Sequence, residues 1–144
     1  MRVLLAYLSY SGNTEEVAGI ISTKLKKEQF QVEIHRIGID RPVDITKYDY
    51  IFIGTFTWDM GSTPDEVKDF ILEVGFKPEN VALFGTGDTQ FGGDDLFCKA
   101  VDKLVKFYNS KWEGLKIEQS PRGSQEKKIE KWLEGVVMNV RSFT

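Results

Sequence analysis

At 144 residues, 41% of them hydrophobic and 28% charged, the chain has the size and composition of one folded domain, residues 1–144, far from disordered or collagen-like sequences. Its single cysteine, Cys98, excludes an intramolecular disulfide, no run approaches the roughly 20 apolar residues of a membrane span, and no cleavable leader is visible, so a cytoplasmic protein without membrane attachment is expected. The net charge of -3 hides an acidic middle, with 10 acids against 3 bases in residues 54–102, which argues against a nucleic-acid partner and for a basic protein.

In chain order, residues 2–9 read as a buried strand around the apolar run 3–8, and residues 13–27 read as a helix with Val17, Ile20, Ile21 and Leu25 on one face. Residues 30–37 alternate apolar and polar, as a strand near a sheet edge does, and residues 50–54 form a central strand ending in glycine. Pro64 suits the first turn of the next helix, with Ser62 and Thr63 as capping candidates and Val67, Phe70 and Ile71 inward. A strand at 80–85, a helix at 96–108, a short strand at 115–117 and a closing helix at 125–140 follow; Ile129, Trp132, Leu133, Val136 and Val137 face inward on the last. Five strands thus alternate with four helices, the signature of an α/β fold with an open parallel sheet covered on both faces. The strand orders open to it include 2-1-3-4-5, in which ligand loops follow strands 1, 3 and 4.

Those three loops are unusual. The first, Ser9-Tyr10-Ser11-Gly12-Asn13-Thr14, opens into a helix and contains no lysine or arginine. Its hydroxyls and backbone N–H groups, with the partial positive charge of the helix N-terminus, make a phosphate cradle of neutral donors, and the absent P-loop lysine disfavours nucleoside triphosphate hydrolysis. The second, Thr55-Phe56-Thr57-Trp58-Asp59-Met60-Gly61, presents large aromatics at the carboxyl edge of the sheet, where a planar ligand stacks on Trp58 or the rings fill a corner of the core. The third, Gly85-Thr86-Gly87-Asp88-Thr89-Gln90-Phe91-Gly92-Gly93, adds Phe91 among glycines, and Gln90 breaks the dinucleotide fingerprint G-x-G-x-x-G. One cradle and two aromatic loops describe a flat, phosphorylated heterocycle.

On these residues the chain resembles the flavodoxin family. Residues 9–14 look like its S/T-x-S/T-G-N-T phosphate loop, Thr57 and Trp58 like its inner stacking loop, residues 85–88 with Phe91 like its outer one, and Phe97-Cys98-Lys99-Ala100-Val101-Asp102 like its F-C-x-A-V-D helix start. The likeness runs the length of the chain, with no large insertion in the fifth strand, as in short-chain members. It implies a flavodoxin-like three-layer sandwich, and the order 2-1-3-4-5 is taken over from the family, whose own fold exemplifies it. It also implies a monomer and non-covalently bound FMN. Ser9, Ser11, Asn13 and Thr14 would hold the phosphate, Trp58 and Phe91 would face the two sides of the ring, and the backbone of Thr86, Gly87 and Asp88 would bind the pyrimidine edge. Tyr10, Gly12, Thr55, Phe56, Met60, Gly61 and Gly92 complete the expected contacts, and Cys98 either touches the flavin edge or packs a helix. Two departures stand out: phenylalanine replaces a common tyrosine at 91, and Asp59 replaces the glycine whose peptide turns on reduction in many members.

An electron carrier needs no acid, base or nucleophile, and the loops offer none. His35 falls on the second strand, where a surface or edge role is expected, Leu104 stands where a C-x5-R phosphatase pattern needs arginine, and no His/Cys cluster has metal spacing. Asp59, Asp65, Glu66, Asp88, Asp94 and Asp95 in or after the aromatic loops penalise an anionic reduced flavin, which predicts a low potential, and should steer basic redox proteins, a reductase and electron acceptors, to the flavin edge. The alternatives are a flavin oxidoreductase or a ribonucleotide reductase activator of the same fold. A signalling receiver lacks its aspartates, since Ser9 and Thr55 occupy those places.

Overall fold

A computed structural model describes residues 1–57, 61–88 and 97–142, with side chains through residue 140. Five strands, β1 (Arg2–Tyr7), β2 (Gln31–Arg36), β3 (Tyr50–Phe56), β4 (Val81–Gly87) and β5 (Leu115–Glu118), pair in parallel in the order β2-β1-β3-β4-β5. Among the described residues the helices are α1 (Asn13–Lys27), α2 (Asp65–Val74), α3 (Lys99–Tyr108) and α4 (Ser124–Ser142), with a 3-10 turn at Ile45–Lys47.

Alternation along the central strands makes the three layers. Val3, Leu5, Tyr7, Phe52, Ala82 and Phe84 point to one face and pack against Val17, Ile21 and Leu25 of α1 and Ile129, Leu133 and Val136 of α4. Leu4, Ala6, Ile51, Ile53, Val81 and Leu83 point to the other and meet Val67 and Phe70 of α2 and Val101 and Leu104 of α3. A strand buried on both faces reads as a continuous apolar run, which is why β1 and β3 were legible.

Several boundaries differ from the sequence expectation. β1 ends at Tyr7, although the Leu8 N–H still donates to Gly54 O at 3.1 Å. β3 and β4 continue past Gly54 and Gly85, which interrupt nothing: a Cβ on Gly54 would lie 2.2 Å from Phe84 Cζ, and one on Gly85 2.4 Å from Val101 Cγ2. The neighbouring side chains fill the space that a β-carbon would take, so each glycine admits close packing and stays in the ladder. Pro64 stands at the N-cap of α2, outside its first turn, and no side chain caps that helix, so Ser62 and Thr63 do not serve as expected; Asp65 and Glu66 favour the helix dipole instead. α3 begins at Lys99 because Cys98 adopts a left-handed φ of 51°, which cannot continue a helix.

The ring of His35 is buried, contrary to a surface role, though it lies on β2 at the edge of the sheet as expected; its centroid is 5.4 Å from that of Phe70. No helix among the described residues is long and apolar enough to cross a membrane.

Candidate functional site

The order β2-β1-β3-β4-β5 brings the carboxyl ends of β1, β3 and β4 side by side, so the three unusual loops leave the sheet at one edge. The first loop folds back on itself: the Gly12 N–H donates to Ser9 Oγ at 3.1 Å, and Gly12 is the N-cap of α1 at φ 95°. A Cβ at Gly12 would meet nothing within 4 Å, so glycine answers a backbone requirement there, not a steric one. No side chain caps α1, and its first intrahelical bond runs from the Glu16 N–H to Gly12 O at 3.0 Å. The N-terminus therefore presents first-turn amides and its share of the helix dipole, with Ser11 exposed and Asn13 half-buried beside them. Those features fit a phosphate, so the donor set meets the demand of FMN without a cationic side chain.

Thr14 points inward. It is 1% exposed, and its hydroxyl lies 2.8 Å from that of Thr86, itself 3% exposed, at the end of β4. The first and third loops are thus joined beneath the surface. On the surface, the Tyr10 ring, 61% exposed, lies 4.9 Å from the ring of Phe56, which links the first loop to the second.

At the end of β3, Thr55 is buried and its hydroxyl donates to Phe56 O at 2.8 Å, so its side chain organises the strand end and presents no surface. Thr57 Oγ1 accepts from the Ala100 N–H at 3.1 Å, and Gly61, at φ 88°, has its carbonyl held by Lys103 Nζ at 2.9 Å. At the end of β4, the Gln119 N–H donates to Gly87 O at 2.7 Å, and Gln119 Nε2 donates to Asp88 Oδ2 at 3.2 Å. Trp58, Asp59, Met60, Phe91 and Gly92 lie outside the described residues.

Cys98 resolves toward packing. It has no exposed surface, its Sγ is 3.9 Å from both Gly85 O and Ile117 O, and burial pushes the thiol up to about 12. A neutral thiol inside the core is unsuited to nucleophilic chemistry, and its position packs the start of α3 against the ends of β4 and β5. Burial also lowers the pKa of His35, against the opposing pull of Asp40 and Glu73. Among the described residues no group of His, Cys, Asp or Glu side chains is arranged to hold a metal ion.

Sequence reasoning missed Ala100, Lys103 and Gln119, which steady the second and third loops from α3 and from the end of β5. No local pattern in the sequence marks them, because each acts on a segment dozens of residues away.

The family model described as flavodoxin matches residues 5–132. The curated relative "Probable flavodoxin 2" of Bacillus subtilis (strain 168) is 34% identical over 137 residues, spanning 89% of this chain and 89% of its own length. The crystal structure of oxidised Flavodoxin 2 from Bacillus cereus superposes with a TM-score of 0.82 at 31% identity, covering 96% of this chain and 99% of that one. Oxidised Flavodoxin 1 from Bacillus cereus gives 0.85 at 26% identity, covering 96% and 98%.

Proposed function

The chain belongs to the flavodoxin family and is an electron carrier working on FMN, and on that premise we propose that it holds the FMN phosphate over the N-terminus of α1 and passes electrons to and from basic redox proteins. The observation that carries this reading is the uncapped start of α1, closed by Gly12 at φ 95° and lined by hydroxyls without a cation. FMN supplies the redox chemistry by taking up and releasing single electrons.

The chain's own residues bind and orient. Ser11, Asn13 and Thr14 donate to the phosphate together with first-turn amides; Ser9, which accepts from Gly12, keeps its own hydroxyl proton for donation. Trp58 and Phe91 stack on the ring, and the backbone of Thr86, Gly87 and Asp88 meets its pyrimidine edge. The expected neighbours Tyr10 and Phe56 form the wall between the first two loops, supported by their ring contact. A cradle without a full positive charge leaves the potential of the flavin low, and the carboxylates of Asp65, Glu66 and Asp88 work in the same direction.

The test is direct. Protein purified from its host should be yellow, release FMN on denaturation, and rebind FMN stoichiometrically as the apo-protein, while oxidising no NAD(P)H by itself. A protein that ignores FMN would overturn the reading; turnover of NAD(P)H without a reductase would favour the oxidoreductase alternative.

A further inference from the structure

We propose that Thr86 is a positioning residue that acts through Thr14: its hydroxyl donates to Thr14 Oγ1 and thereby commits the Thr14 proton to the phosphate of FMN. This rests on the phosphate site proposed above. The two oxygens are 2.8 Å apart, 72 residues distant in sequence, on side chains 1% and 3% exposed.

A hydroxyl has one hydrogen and two acceptor sites, so one hydrogen lies between the two oxygens and the other is left to point elsewhere. Either hydroxyl can be the donor in the pair taken alone. Thr14, however, lies in the first turn of α1, where the helix terminus favours an anion, and an anion there accepts and never donates. The free hydrogen then belongs on Thr14, and the shared one must come from Thr86. Donation into Thr14 Oγ1 also polarises the outgoing O–H bond, as in any hydrogen-bonded chain.

Thr86 is well placed to impose this order. It is the penultimate residue of β4, in register with Phe56 of β3 on one side and Ile117 of β5 on the other, so the ladders fix its Cα and its β-branched side chain has little rotamer freedom. Its hydroxyl answers to the phosphate although it lies at the root of the third loop, not the first. The consequence is a ligand preference. Loss of the Thr86 hydroxyl should weaken binding of a phosphorylated flavin and spare a flavin without phosphate.

Apo-protein carrying Thr86→Val, Thr86→Ser, Thr14→Val, or both valines is titrated with FMN and with riboflavin, and with inorganic phosphate read through its protection against thermal unfolding. Thr86→Val should weaken FMN and phosphate about three- to tenfold, the span expected for one hydrogen bond, and leave riboflavin unchanged. Thr86→Ser should bind as the parent does, and Thr86→Val added to Thr14→Val should cost nothing further, since the relay is already broken. Equal loss of FMN and riboflavin, an unchanged FMN affinity, or full additivity of the two valines would each overturn the proposal. Unfolding midpoints of the apo-variants report their folding, and Thr86→Ala replaces valine should valine fail to pack. Parent protein that binds riboflavin as tightly as FMN would instead overturn the phosphate site itself.

Discussion

Thr57 caps a helix far along the chain: its Oγ1 accepts from the N–H of Ala100, 43 residues later in the first turn of α3, at 3.1 Å. The helix needs this, because its own N-cap residue, Cys98, sits at φ 51° and makes no side-chain cap bond. One turn further on, Lys103 Nζ holds Gly61 O at 2.9 Å. α3 therefore grips both residues that flank positions 58–60, and the same helix stiffens the sheet through Val101 and Leu104.

Removing that cap should cost stability and affinity together. Thr57→Ala is expected to lower the unfolding free energy of the apo-protein by about 1 kcal/mol, the usual worth of an N-cap, and Thr57→Ser to restore it. Urea denaturation of the apo-protein measures the first effect. FMN titration measures the second, a several-fold weakening in Thr57→Ala; unchanged stability would show that α3 does not depend on this bond.

Gly12 allows a cleaner experiment on the backbone alone. Since nothing lies within 4 Å of a Cβ built there, Gly12→Ala should destabilise only through its φ of 95°, by roughly 1–2 kcal/mol. Asparagine tolerates the left-handed region better than alanine, so Gly12→Asn should recover part of the loss. Equal unfolding midpoints for parent and Gly12→Ala would mean that the loop relaxes to another conformation.

These two positions also mark how far the sequence could be read. α1 is legible to the residue, 13–27, because Val17, Ile20, Ile21 and Leu25 recur at helical spacing along one apolar face. The strand ends were not, because Gly54 and Gly85 look like terminators until Phe84 and Val101 are seen to fill the space beside them. The cap from Thr57 and the grip of Lys103 and Gln119 depend on chain segments dozens of residues apart meeting in space, and no local pattern carries that. Cys98 shows the same limit from the other side: its place in the motif is plain in the sequence, its burial only in the fold.

His35 ties stability to pH. Burial lowers its folded pKa below the ordinary 6.5, and Asp40 and Glu73 only partly oppose this, so the unfolded chain binds the proton more readily than the folded one. Stability is therefore complete above 6.5 and is lost as pH falls from there through the folded pKa. His35→Phe, which keeps a ring against Phe70, should flatten that part of the profile. Urea midpoints of the apo-protein taken on either side of 6.5 decide it, and parallel profiles for parent and variant would remove His35 as the cause.

The acidic middle of the chain predicts how partners are found. Residues 54–102 hold 10 acids against 3 bases, and Asp65, Glu66 and Asp88 lie at the edge of the sheet where β3 and β4 end. Such a field raises the encounter rate with a basic reductase and is screened over about 8 Å at physiological ionic strength. Electron transfer from a basic reductase should therefore slow as salt rises, and Asp65→Asn with Glu66→Gln should both lower the rate at low salt and flatten the dependence. Asp88→Asn should in addition raise the midpoint potential of the bound FMN by tens of millivolts, on the order of one partly screened charge. Stopped-flow transfer across a salt series separates the two effects: a rate indifferent to salt would show that the acids do not steer, whereas a shift of potential in Asp88→Asn with steering intact would assign that carboxylate to the flavin and the pair on α2 to the partner.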